Sequence, residues 1–275
     1  MTSSLLDRPE YQDSRSLAGW VRPGAGPFSP FTGQYYMASG HDDEAYKRLH
    51  TEVDVPAGGT GTLKFQTSYD LEPAWDHLFV EARPVGTEQW TTLPDVNGHT
   101  SQATGDSCFT DGGWWQLHDR LRNYQTVSRG DCTPTGTTGV WHAATGNSNG
   151  WQDWEIDLSG YVGQEVEIAI VAATDWAVGG LGAWIDDAVI EVNGAVQSST
   201  SFETDTGVWQ IGGDVPASTP NPDAQWTRTT QQFEEGAVVG TTDTVYAGFE
   251  VATMKTPEER ASFMKATLRH LGVLP

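Results

Sequence analysis

The chain has 275 residues, with 37 acidic side chains against 15 Lys plus Arg and a formal charge of -22. This length allows one large or two modest domains around a sizeable core. The charge would repel a phosphate backbone, which argues against nucleic acid as a partner, and no apolar run is long enough to span a membrane.

Twelve Trp and 31 Gly read as a β-rich, loop-rich chain. The acidity fits a secreted protein kept in solution by self-repulsion, or one that holds Ca²⁺. Met1–Gln12 is polar and lacks the apolar stretch of a signal peptide, so the signal of a secreted product is expected outside these residues.

In chain order, residues 1–39 read as an arm, rich in Pro, Gly and Ser from Ser3 to Pro30, with Trp20 and Phe28 as its anchors. Alternation begins at Leu49–Val55, a half-buried strand stopped by Pro56 and the glycines after it. Leu63–Tyr69, Asp76–Ala82 and the stretch around Gln89–Leu93 follow as strands. Residues 94–149 form a long, weakly patterned insertion that holds Cys108, Cys132, Trp114, Trp115 and Trp141. Two cysteines flanking one irregular insertion are expected to pair. Such a bridge removes about 3–4 kcal/mol of unfolded-state entropy in the chain-entropy model.

Regular alternation returns at Trp151–Leu158, with a turn at Ser159–Gly163 and a near-continuous apolar strand at Val166–Ala173. Trp184–Ile190 is an alternating strand interrupted by Asp186 and Asp187. A paired acid inside a strand is costly to bury unless a cation offsets it. The pair therefore marks either a solvated strand end or one wall of a calcium site. Composition shifts after Val192. Ser201–Glu203 and Gly207–Trp209 read as strand starts, Val215–Pro222 as a Pro-rich loop, and Trp226–Thr230 and Thr244–Phe249 as short strands.

Thr256 as N-cap, Pro257 at the first helical position and Glu258 and Glu259 in the first turn open a helix. Its apolar residues are Ala261, Phe263 or Met264, Leu268 and Leu271, and Gly272 caps it. Short strands at regular spacing predict an all-β, two-sheet antiparallel sandwich with a disulfide-clamped insertion and one C-terminal helix. Three segments are expected: the arm 1–39, a sandwich over 40–195 carrying the insertion 94–149, and a C-terminal β segment and helix over 196–275 packed on it.

Asp70–Glu81, followed by Trp90, resembles the acid-x-E-x-x-W-D-x-x-x-V-E…W passage of the MAM-like sandwich domains appended to immune inhibitor A peptidases. Trp154–Gly163 resembles that family's W…DLS-x-Y-x-G passage, and Ile185–Val189 its I-D-D-hydrophobic strand. Ser201-Phe202-Glu203 with Trp209, Tyr246–Glu250 and the final helix resemble the C-terminal region of secreted actinobacterial zinc carboxypeptidases. The resemblance covers most of residues 40–275. It implies a jelly-roll-like sandwich, bound calcium, and a non-catalytic accessory region that follows a peptidase domain in the same secreted precursor. The insertion is not part of that pattern.

Asp70, Glu72, Asp76, Asp175, Asp186 and Asp187 are the candidate calcium ligands, because Ca²⁺ takes six to eight oxygens and these acids sit at strand ends. Their other reading is a set of rim carboxylates. Strand alternation points Asp186 and Asp187 to opposite faces, and Asp187 is the one favoured for the site.

His41 and Glu44 have an H-x-x-E spacing, with His118 or His142 as a third zinc ligand. Asp42 and Asp43 between them favour a hard ion or solvent, so no zinc is expected in this chain. Trp114, Trp115 and Trp141, with Trp151, Trp154 and Trp176, could stack on sugars. Trp154 and Trp184 sit in strand patterns and read as core, and Trp114 and Trp115 cannot face the same side of a strand.

No nucleophile elbow, P-loop or dinucleotide fingerprint is present. The leading reading is a non-catalytic accessory region whose partners are an upstream peptidase domain and a polysaccharide or protein surface. The rivals are a carbohydrate-binding module using exposed Trp, and a hydrolase active alone through the H-x-x-E loop.

Overall fold

The computed structural model describes residues 30–109, 114–128, 131–230, 238–240, 245–247 and 256–274. Those up to Thr230 belong to one compact unit and those after it to a second. The first unit contains strands β1 (Tyr35–Ala38), β2 (Tyr46–Val55), β3 (Gly61–Asp70), β4 (His77–Pro84), β5 (Thr91–Leu93), β6 (Thr126–Ser128) and β7 (Asp131–Thr133). They are followed by β8 (Gln152–Asp157), β9 (Gln164–Ala173), β10 (Gly182–Val192), β11 (Ala195–Thr200), β12 (Gln210–Ile211) and β13 (Thr227–Thr230).

Two antiparallel sheets form the sandwich. One runs β13-β1-β10-β3-β8, with β11 also on β10, and the other runs β12-β2-β9-β4-β5. Because β12 and β13 are paired into these sheets, the sandwich unit extends past residue 195 to Thr230.

The predicted strands from Leu49 to Ile190 are present, most of them longer by a few residues at their ends. Their alternation has the expected cause. Leu49, Val53 and Val55 of β2, Phe65 of β3, Leu78 and Val80 of β4, Trp154 and Ile156 of β8, and Ile168 and Ile170 of β9 meet in one core. Trp154 and Trp184 are fully buried, as predicted.

The opposite face of the second sheet is buried as well, and the insertion buries it. Phe79 of β4 with Ala169, Val171 and Ala173 of β9 packs under Trp114, Leu117, Leu121, Tyr124 and Trp141. This explains why β9 is apolar without alternation: both of its faces are covered. The insertion is thus a lid with its own core, built from short 3₁₀ turns at Asp106–Phe109, Trp114–Gln116 and Asp119–Asn123 and the hairpin β6–β7. Cys108 and Cys132 are bridged and tie the first of these turns to β7.

Two expected strand starts are turns instead. Phe202 and Trp209 are buried anchors of irregular chain, with Phe202 at φ +58°, and strand β12 begins only at Gln210. In the second unit β14 (Val238–Gly240) pairs with β15 (Val245–Ala247), and helix α1 spans Pro257–His270. Gly272 follows α1 with φ +69°, as its capping role requires. Trp20 and Phe28 of the arm, and Phe249 and Glu250, lie outside the described residues. No described helix is long and apolar enough to cross a membrane.

Candidate metal centre

Three acids from two chain segments meet at one end of the second sheet. After β3 the chain makes one turn, in which the Trp75 and Asp76 amides donate to the Glu72 carbonyl at 3.2 and 3.0 Å. That turn stacks the Glu72 and Asp76 side chains. Ala173 at the end of β9 lies between Tyr46 and His77, so Asp175 just beyond it reaches the same corner. The Asp175 amide donates to Asp76 Oδ1 at 3.0 Å, and the Glu44 amide donates to the Asp175 carbonyl at 2.6 Å. One carboxylate oxygen from each of Glu72, Asp76 and Asp175 lies within 4.8 Å of the others.

Further oxygens converge on this corner. A methyl on Gly179 would stand 3.3 Å from the His41 carbonyl oxygen, 3.6 Å from Asp43 Oδ1 and 3.9 Å from Asp76 Oδ2. In the sequence pattern Asp43 reads with Asp42 as favouring a hard ion or solvent beside His41, but is not placed with Glu72, Asp76 and Asp175. It arrives from a separate loop through the long-range bond between Glu44 and Asp175.

The electrostatics are those of crowded, poorly solvated negative charge. Burial, with the charges of Asp175 and Glu72, outweighs the backbone amide bonds and pushes the Asp76 carboxyl up to about 7. Burial and Asp43 raise Asp175, and burial with Asp175 and Asp43 raises Glu72. Glu72 Oε2 is buried without a hydrogen-bond partner. Among the described residues Lys47 is the cation beside the cluster, and its ammonium donates to the Ser39 carbonyl at 2.6 Å and to Asp42 at 2.7 Å. Asp76 and Asp43 also act on it through space. Its single charge leaves most of the cluster unbalanced. An all-oxygen donor set of this kind suits Ca²⁺, not zinc.

The other expected ligands are placed elsewhere. Asp70 is buried outside this group, with Oδ1 accepting from the Asn147 side chain at 2.9 Å. Asp186 and Asp187 are also separate from it, which corrects their assignment to the same site. They occupy a bulge in β10, at the point where that strand's pairing passes from β1 to β11. Asp187 sits at φ +46°, and its Oδ1 accepts from the Thr32 hydroxyl at 2.7 Å. Asp186 is the buried member, not a rim residue. It accepts from the Thr32 and Asp187 amides at 3.0 and 2.8 Å, and burial pushes its carboxyl up to about 6. The pair fastens residue 32 to the sheet.

The histidines are used in packing. His118 is buried, with Nε2 at 2.9 Å from the Thr174 carbonyl and Nδ1 at 3.1 Å from the Thr219 hydroxyl, and burial pushes it down to about 4. His142 lies 3.5 Å from Gln102. Neither joins His41 and Glu44 in a metal-holding group among the described residues.

The aromatic platform is also corrected. Trp114 and Trp141 are fully buried, edge to face at 5.8 Å and both against His77, so neither presents a face to a ligand. Trp115, the next residue on the turn, is half-buried instead.

A second charged centre, invisible to sequence spacing, joins the lid to the sheet. The buried Glu81 of β4 accepts from the hydroxyls of Tyr46 and Tyr124 at 2.6 and 2.7 Å, from Arg48 at 2.7 Å and from Arg120 at 3.1 Å. Arg48 and Arg83 also hold Glu167, each at 2.7 Å. Arg83 and Arg120 lie 4.2 Å from the ring centre of Trp90. These donors engage the Glu81 and Glu167 carboxylates, which gives the network a structural role, and among the described residues Arg48 Nη1 and the Trp90 indole nitrogen are the buried donors it leaves without a partner.

No protein-family model matches the chain. Over 167 residues, 60% of its length, it is 23% identical to the pre-pro-metalloprotease PrtV of Vibrio cholerae serotype O1, both in strain M66-2 and in strain ATCC 39315 / El Tor Inaba N16961. The match spans 14% of that precursor. The chain is therefore similar to a minor segment of a metalloprotease precursor.

Proposed function

We propose that the chain is a non-catalytic accessory β-sandwich region of a secreted zinc metalloprotease precursor, of the carboxypeptidase type that its C-terminal motifs resemble. It stabilises the enzyme or attaches it to a substrate or surface, and its partner is the peptidase domain upstream in the same precursor. Calcium held by Glu72, Asp76 and Asp175, with Asp43 and the His41 carbonyl beside them, fastens the loops at one end of the sandwich. The convergence of three carboxylates from distant segments, two of them buried, carries this reading. The similarity to a metalloprotease precursor and the engagement of His118 in packing support it.

Calcium bound only by the folded state stabilises it by about 2.7 kcal/mol at a hundredfold excess over Kd. For a unit of this size that corresponds to a rise in Tm of roughly 5–10 °C in millimolar Ca²⁺. Asp76→Ala and Asp175→Ala should abolish the rise, and Asp187→Ala should leave it intact. Scanning fluorimetry with Ca²⁺ and with EGTA decides this. Melting curves that ignore both would sink the calcium lock. The zinc-loaded protein alone should turn over no carboxypeptidase substrate. Chelator-sensitive turnover that disappears in His41→Ala would overturn the non-catalytic reading.

A further inference from the structure

The lid carries a recess of about 330 Å³ lined by Trp115, Arg122, Gln125, Thr126, Val127 and Thr137. Its residues come from the turn that buries Trp114, from the turn at 119–123 and the start of β6 that follows it, and from the loop after β7, so the packing of the lid presents them together. Gln125 is fully buried. Its Oε1 accepts from the Trp114 indole at 3.4 Å, which fixes the amide's orientation and leaves Nε2 without an acceptor. A buried donor left unmade is costly, and an acceptor entering the recess would relieve that cost.

The other groups are polarised in a complementary way. Arg122 is exposed and makes no ion pair among the described residues. The Thr126 hydroxyl donates to the Thr135 carbonyl and has the Thr133 hydroxyl at 2.8 Å, which takes one of its lone pairs and leaves the other, and the Thr137 hydroxyl donates to Asn123 Oδ1. Both hydroxyls therefore offer lone pairs to the recess. Among the described residues no carboxylate lines it, although the chain carries a net charge of -22. Two other recesses are lined by acids, one by Glu52 and Asp54 and the other by Glu88, Asp119 and Asp214.

We propose that this recess binds a carboxylate-bearing sugar residue of a polysaccharide. The Trp115 ring and Val127 meet the apolar C–H face of the sugar. Arg122 pairs with its carboxylate, and Gln125 Nε2 donates to a ring or hydroxyl oxygen. Thr126 and Thr137 accept from its hydroxyls. A sulfate supplies no donor at neutral pH for those two lone pairs, and a neutral sugar leaves Arg122 unpaired. The proposal gives the attachment role above a target, and it does not depend on the metal.

The test is calorimetric titration of the full chain in EGTA with trigalacturonate, a neutral galactotriose and inorganic sulfate. Because the metal is chelated, failure here and failure of the calcium reading are separate results. Trigalacturonate should bind with a Kd of about 1 mM or tighter. Trp115→Ala should weaken it at least tenfold, and Arg122→Gln should weaken it about tenfold while leaving any neutral-sugar binding unchanged. Melting curves of both variants check that they fold. Absence of trigalacturonate binding, equal affinity for galactotriose or sulfate, or binding indifferent to Trp115→Ala each overturns the proposal.

Discussion

Glu81→Ala should cost more stability than any other single carboxylate removal in the sandwich. The side chain is fully buried and takes four hydrogen bonds, two from guanidiniums and two from tyrosines. Removing one partner of a buried ion pair strands the others and costs about 3–5 kcal/mol. That is a large share of the 5–15 kcal/mol, roughly, that holds a domain together.

Because Arg120 and Tyr124 belong to the lid and Arg48 and Tyr46 to the sheet, the loss should fall first on the lid. Hydrogen exchange should show residues 114–124 losing protection before β9 does. Burial alone would raise the Glu81 carboxyl, but Arg120, Arg48 and the tyrosine hydroxyls outweigh it and hold it below its usual range. The stabilisation is therefore complete above the unfolded carboxylate pKa and lost as pH falls through the lower folded value. Glu88→Ala is the control. That side chain is 84% exposed where it meets Arg83, so its removal should cost under about 0.5 kcal/mol. Equal urea midpoints for the two variants would refute the keystone role of Glu81.

The sandwich was legible because its strands obey one rule, an inward face repeating every second residue. Strands that escape the rule were missed. Tyr35–Ala38 is too short to show alternation, and Ala195–Thr200 presents no buried apolar face, so nothing in its composition separates it from a loop. The lid was read as weakly patterned because Trp114 and Trp115 ride on a short 3₁₀ turn, Tyr124 ends another, and Trp141 lies in irregular chain, none of which imposes a sequence period. That is also why Trp114 and Trp141 passed for a surface platform. The acidic corner proposed to hold calcium was half legible. Glu72, Asp76 and Asp175 lie next to strand ends that the pattern located, whereas Asp43 depends on a long-range contact. For Asp186 and Asp187, alternation failed at a bulge, which sequence spacing does not announce.

Calcium affinity should rise about tenfold per pH unit between pH 5 and 7 and level off above, because the ion must displace one proton from Asp76. The sign follows from burial. The folded Asp76 carboxyl titrates at about 7, against roughly 3.9 in an unfolded chain. Across that interval the folded state binds the extra proton, so this group's contribution to metal-free stability falls as pH rises, by on the order of 4 kcal/mol in all. Asp186, at about 6, acts in the same direction. His77 and His118, pushed by burial down to about 3 and about 4, act in the opposite direction below the usual histidine value. The raw stability profile therefore mixes cancelling slopes, and the comparison that isolates Asp76 is wild type against Asp76→Asn. Without metal, Asp76→Asn should be the more stable of the two at pH 8, since its amide carries no charge and still accepts from the Asp175 amide. In millimolar Ca²⁺ the order should reverse, because only the wild type gains. A calcium effect of equal size at pH 5 and pH 8, or a metal-free Asp76→Asn that melts below wild type at pH 8, would show that the ion is not bound through this carboxylate.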